Sequence, residues 1–311
     1  MDYAPSLLFR SGHLNTLYPS LFRKQIIPDY KRLQLETLDK DFLHVDMLKD
    51  NRNRIAVLCH GLEGSSTSNY IIGTGKLLAE QGWDIAAINY RGCSGVMNRQ
   101  LRMYHSGATD DLDQVIQYLI GYYDEIALVG FSLGGNLVIK YCGERGSDLD
   151  SKIVACIAAS VPLDLEAGSM HLGKSANWLY TMNFLKTLSQ KVRAKHQQFP
   201  GKIDLRPMKH IKTVYDFDDA FTGPLHGFAS AHDYYSQCSS KNFLNGLTIP
   251  TIIINALDDP FLPEECYPES YDLPSQVTAM TTKNGGHVGW VQSGKNYWME
   301  EIVGRFLGEV V

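Results

Sequence analysis

Between Arg54 and Ala159 the chain repeats one pattern: a short, continuously apolar segment, a turn, then an amphipathic stretch of helical length. Residues 55–59, 84–89, 126–130 and 153–159 are the apolar segments. Residues 68–81, 109–122 and 133–145 are the helical ones; Gly82 ends the first, and acidic residues open the second, where they suit a helix N-terminus. A strand buried on both faces has no polar side to alternate with. Continuous apolar strands interleaved with helices therefore predict an α/β chain with a mostly parallel sheet covered on both faces. Upstream, residues 33–38 and 42–48 read as a hairpin across Asp39, Lys40 and Asp41. Strands over 251–255 and 276–281 and a terminal helix over about 293–307 complete an eight-stranded arrangement.

The alternation breaks after Pro162, and residues 163–247 contain no clear strand. From Glu166 to Lys212 there are nine Lys or Arg against two Asp or Glu, opposite in sign to the chain's net charge of -5. An insertion between the sixth and seventh strands is where a partial lid would sit; the plainer alternative is a cover for one edge of the core. The basic run from Lys174 to Lys212 reads either as a solvated helical face or as an electropositive lid attracting acyl-CoA or an anionic lipid surface.

Composition narrows the function classes. A charged fraction of 20% and a hydrophobic fraction of 44% are those of an ordinary globular chain, and the acidic balance gives no reason to expect nucleic acid as a partner. No apolar run approaches bilayer-spanning length, and the first residues lack the positive start and apolar core of a signal peptide, so no transmembrane anchor is expected. Six cysteines are scattered without a CxxC pair, which fits a reduced, cytoplasmic protein.

Gly130-Phe-Ser-Leu-Gly134 matches GxSxG. The pattern alone is weak, and a serine capping a helix would explain it. Its setting is stronger, because an apolar strand runs into it and a helix leaves it. That is a nucleophile elbow: glycines permit a tight backbone and Ser132 is held up at the end of the sheet. A serine hydroxyl needs a base to take its proton. His287, in Asn-Gly-Gly-His-Val-Gly-Trp between the last strand and the last helix, is where that base belongs in the order Ser, acid, His.

The acid that orients His287 comes from Asp258 or Asp259, after strand 251–255. Asp259 is preferred because an Asp-Pro turn commonly ends such a loop, with Asp258 left as the alternative. The turn His60-Gly-Leu-Glu-Gly64 follows strand 55–59, so the backbone N–H groups of Leu62 and Leu133 are the expected oxyanion-hole donors. His60 is expected to shape that turn rather than act as base. Tyr215-Asp-Phe-Asp-Asp219 lacks metal-site spacing and reads as solvated or hydrogen-bonded carboxylates. Cys93 has no elbow around it. Arg91 is read as a loop-shaping residue or a substrate contact.

Ser11-Gly-His-Leu-Asn-Thr16, His60-Gly-Leu-Glu-Gly64, Asn89-Tyr-Arg-Gly-Cys-Ser-Gly95, Tyr104-His-Ser-Gly107 and Gly285-Gly-His-Val-Gly289 together resemble the YheT-like, or embryogenesis-associated, group of α/β-hydrolases over nearly the whole length. The resemblance implies the α/β-hydrolase fold and a triad of Ser132, Asp259 (or Asp258) and His287. It also implies hydrolysis of short- to medium-chain carboxylic esters or lipid-like esters without metal or organic cofactor. Relatives of that group include lipid esterases and enzymes that transfer acyl groups from coenzyme A to ethanol. An acyltransferase, or a hydrolase fold kept for binding alone, are the rival expectations.

Overall fold

The computed structural model describes every residue except Met1 and 269–272. Eight strands form one sheet: β1 (Lys31–Glu36), β2 (Phe42–Leu48), β3 (Arg54–Cys59), β4 (Asp84–Asn89), β5 (Glu125–Phe131), β6 (Ile153–Ala159), β7 (Thr251–Ala256) and β8 (Val277–Thr282). Their order is β1-β2-β4-β3-β5-β6-β7-β8. β1 pairs with β2, and β2 with β4, antiparallel; every later pairing is parallel. The expected α/β fold and hairpin are both present.

Side chains alternate across the sheet, as the strand period of two requires. Ile55, Val57 and Cys59 belong to one apolar cluster, shared with α3 (Thr109–Ile120) and α4 (Leu133–Arg145). Ala56 and Leu58 belong to the other, shared with α2 (Asn69–Glu80) and a C-terminal helix, Trp298–Val310. Both faces are covered, which is why the strands read as unbroken apolar runs.

Two local outcomes differ from the sequence reading. An additional helix, α1 (Gly12–Phe22), precedes β1. The C-terminal helix starts at Trp298 rather than near 293, because Tyr297 caps it: the Tyr297 N–H donates to Glu300 Oε2 at 2.8 Å. Gly294, at φ +124°, keeps the preceding residues out of helix.

Between β6 and β7 the chain forms α5 (Leu165–Leu172), the long α6 (Trp178–Gln198) and α7 (Ala231–Cys238), with no strand. A π-helical turn, Asp218–Thr222, follows a single helical turn, Val214–Phe217. This segment has its own apolar cluster, in which Leu185, Leu188 and Val192 of α6 pack on Phe217, Phe221 and Met103.

Candidate active site

β5 ends at Phe131 and α4 begins at Leu133, leaving Ser132 alone in the turn at φ 55°, ψ -119°. A side-chain-bearing residue is costly there, and persists only where its surroundings fix it. They do so tightly. The Ser132 N–H donates to Ala159 O at 2.8 Å, tying the turn to β6. A Cβ on Gly130 would lie 2.1 Å from Gly134 O, and one on Gly134 would lie 2.2 Å from Cys59 O. Both flanking positions therefore require glycine.

The Ser132 hydroxyl lies 2.8 Å from Nε2 of His287, whose Nδ1 lies 2.8 Å from Asp259 Oδ2. One tautomer satisfies both contacts: Nδ1–H donates to the carboxylate and Nε2 accepts from the serine. Asp259 is buried, and its Oδ1 accepts from the Phe261 N–H at 2.8 Å, which fixes the carboxylate plane. The Phe261 ring packs on His287 with centroids 4.2 Å apart. Asp258 turns the other way, accepting from the Gly286 N–H at 2.8 Å and Asn284 Nδ2 at 3.1 Å.

The loop carrying His287 is held by residues distant in sequence. Its N–H donates to Thr16 Oγ1 at 2.9 Å, and the Val288 N–H donates to Ser160 Oγ at 2.8 Å. Asn15 Oδ1 accepts from the Val291 N–H at 3.0 Å. Gly12 sits so close to the acid loop that a Cβ there would lie 1.7 Å from Asp258 O. α1 thus braces both the acid and the histidine loops. Sequence reasoning missed this role; the Ser11–Thr16 motif was its only signal.

Leu62 and Leu133 line the same cavity as Ser132 and His287. The N–H groups on either side of Leu62 are engaged, Gly61 N–H with Tyr70 OH and Glu63 N–H with Tyr104 OH, each at 2.9 Å. Among the described residues neither the Leu62 nor the Leu133 N–H has an acceptor. His60 is fully buried, and burial pushes its pKa down to about 3, so the ring is neutral. Its Nδ1–H donates to Gly61 O at 2.7 Å while Nε2 accepts from the Tyr90 N–H at 3.3 Å, which shapes the turn as expected.

The cavity has a volume of about 120 Å³. Leu133, Leu165, Leu172, Leu188 and Val214 make its walls mainly apolar, and most of these come from the insertion. Asp218 is the one carboxylate among the lining residues. It faces the same space from the π-helical turn, accepting from Thr222 Oγ1 at 2.5 Å and from Tyr235 OH at 2.6 Å. Burial raises its pKa to about 6 against the lowering effect of those two hydroxyls. The other aspartates of the motif are tied into local structure: Asp216 caps a helical turn, and Asp219 accepts from the Ala231 N–H at 2.9 Å. Among the described residues no three His, Cys, Asp or Glu side chains are grouped to hold a metal ion.

Arg91 is structural. It is buried and bonds to Asp39 and Asp41 at 2.8 Å and to Asp111 at 2.6 Å, locking the β1–β2 turn to α3. Cys93 lies 3.0 Å from Lys191 Nζ, and burial pushes its thiol up to about 11, so it is not a thiolate at neutral pH. The basic run divides. Lys191 pairs with Glu63 at 2.7 Å, Lys195 is buried against the carbonyls of Asn98 and Gln100, and Arg206 pairs with Asp204 at 2.7 Å. Lys174 and Lys186 remain at the surface.

Among known proteins, the family described as the alpha/beta hydrolase fold matches residues 57–292. YheT, a candidate esterase of Escherichia coli strain K12, is 36% identical over 301 residues, covering 93% of this chain and 87% of that one. Phospholipase ABHD3 of Homo sapiens is 29% identical over 302 residues, covering 94% and 73% respectively. The esterase Pf2001 of Pyrococcus furiosus superposes with a TM-score of 0.60 at 17% identity, over 91% of each chain, a likeness of fold. No helix among the described residues is long and apolar enough to cross a membrane.

Proposed function

The chain belongs to the α/β-hydrolase fold family and, within it, to the YheT-like group, and from that premise we propose that it hydrolyses carboxylic esters through an acyl-enzyme on Ser132. The observation that carries this reading is the hydrogen-bonded series Ser132–His287–Asp259 in the wall of a mainly apolar cavity. In the proposed first half-reaction His287 Nε2 takes the hydroxyl proton as Ser132 Oγ attacks the ester carbon. The N–H groups of Leu62 and Leu133 receive the oxyanion, and the C–O bond to the alcohol breaks as His287 returns the proton to the leaving oxygen. In the second, water attacks the acyl carbon with the same proton shuttle, and the carboxylic acid leaves. Asp259 keeps the ring in the tautomer both halves need.

The substrate on this reading is a small ester or lipid-like ester with a short- to medium-chain acyl group, and its contacts with lipid or acyl-CoA are transient. The insertion over 163–247 acts as a partial lid on a single domain. Its apolar side chains in the cavity support that role. Hydrolysis of p-nitrophenyl esters from acetate to palmitate by wild type and Ser132→Ala tests the reading. Turnover of the shorter esters that vanishes in the variant supports it. Formation of ethyl esters in preference to free acid when ethanol is added would replace hydrolysis by acyl transfer.

A further inference from the structure

α1 is turned inside out. Its buried residues are Gly12, Asn15 and Pro19, small or polar, whereas Leu14, Tyr18, Leu21 and Phe22 form an apolar stripe at helical spacing on the solvent side. Leu21 and Phe22 are each 66% exposed. The first turn of α6 does the same, with Trp178 at 60% and Met182 at 55%. These two surfaces are joined: His13 Nδ1 lies 3.1 Å from Tyr180 OH, and the two rings stack. Tyr180 in turn meets the edge of Phe261, which packs on His287. Two aromatic rings, Tyr180 and Phe261, thus connect this surface to the catalytic histidine. Large apolar side chains exposed on two neighbouring elements mark a contact site.

The charges carried by these two segments have one sign. Arg10 and Lys24 bracket α1, Lys174 and Lys186 bracket the first turns of α6, and all four are exposed. None pairs with a carboxylate among the described residues. Residues 3–28 and 167–203 contain no Asp or Glu at all. A second copy of this chain docked symmetrically would set these cations against themselves. An apolar layer beneath a negative surface complements both features, with Tyr18 and Trp178 placed as side chains that favour a membrane–water boundary.

We propose that the face made by α1 and the first turn of α6 docks onto anionic lipid bilayers and so presents the active site to the membrane surface. This deepens the transient lipid contact suggested above, and it stands independently of the chemistry at Ser132. Each of the four cations contributes roughly a fivefold gain in partitioning onto an anionic surface at low salt, and the gain is screened as salt is added.

The test is co-sedimentation of the full chain with phosphatidylcholine vesicles, with and without added phosphatidylglycerol. Wild type, Leu21→Asp/Phe22→Asp and Arg10→Glu/Lys24→Glu are compared, and circular dichroism verifies folding. Wild type is expected to bind the phosphatidylglycerol vesicles and not the neutral ones, with salt weakening binding. Arg10→Glu/Lys24→Glu should lose binding by about 25-fold or more, since two cations at roughly fivefold each carry that factor, and Leu21→Asp/Phe22→Asp by about tenfold or more through the lost apolar burial. Binding that is equal in wild type and variants overturns the proposal. So does absence of binding to phosphatidylglycerol vesicles, or a dimer in solution abolished by Leu21→Asp/Phe22→Asp. Because the readout is binding, a protein without esterase activity would still decide the question.

Discussion

Asp258 and Asp259 are adjacent in sequence and hold two adjacent residues of one loop: Asp259 Oδ2 lies 2.8 Å from His287 Nδ1, while Asp258 Oδ1 accepts from the N–H of Gly286, one residue earlier, at 2.8 Å. One carboxylate addresses the ring, the other the backbone that carries it. The two substitutions should therefore separate. Asp259→Asn is expected to lower kcat by about three to four orders of magnitude with little change in KM, as loss of the correct tautomer does. Asp258→Asn, which disturbs loop position alone, should cost about ten- to a hundredfold. Steady-state kinetics on one soluble ester checks both, and equal losses would assign the acid wrongly.

Thr16 supplies the only acceptor for the His287 N–H among the described residues. Thr16→Val keeps the shape and removes the acceptor, leaving a part-buried donor unmade. A loss of about 1–3 kcal/mol in stability is expected, together with a fall in kcat, and Thr16→Ser should restore both. Chemical denaturation and kinetics on the three proteins measure this.

Arg91 is the countercharge for three carboxylates, two of them buried. Arg91→Met would strand those charges and is expected to destabilise the fold by about 3–5 kcal/mol. Its effect on kcat in the protein that remains folded should be slight, since Arg91 does not line the cavity. Urea denaturation followed by active-site titration of the folded fraction distinguishes the two effects.

Asp218 has its pKa raised by burial from near 4 to about 6. An acid with a raised folded pKa binds its proton more readily in the native state than in the unfolded chain. Its contribution to stability is full below the unfolded value and is lost as pH rises through the folded one. Wild type should therefore lose stability relative to Asp218→Asn between about pH 4 and pH 6, with a constant difference above that range. Denaturant midpoints for both proteins across this range test the sign.

Much of this architecture was legible because the sheet is covered on both sides. Ile55–Cys59 and Ile153–Ala159 carry no polar alternation, so their length and the turns around them mark them as strands. Ser132, His287 and Asp259 were legible because each sits where a strand ends, in a loop rich in glycine or proline. What escaped the sequence depends on distant partners. α1 contains Pro19 and turns its apolar side outward, so its pattern reads against a core-facing helix. The cavity role of Asp218 depends on Tyr235, a contact made across a turn and a helix. Lys191 and Lys195 looked like members of a solvated run until the fold supplied Glu63 and two buried carbonyls.

On the proposed mechanism Ser132 is the residue acylated. Reaction of the full chain with a fluorophosphonate, followed by peptide mass spectrometry and parallel ester turnover, decides whether it is. The expected result is one adduct per chain, on the peptide containing Ser132, with loss of turnover in proportion to labelling and neither label nor turnover in Ser132→Ala. Label on another residue, or ester turnover that survives in Ser132→Ala, would rule out acylation of Ser132 as the route of turnover.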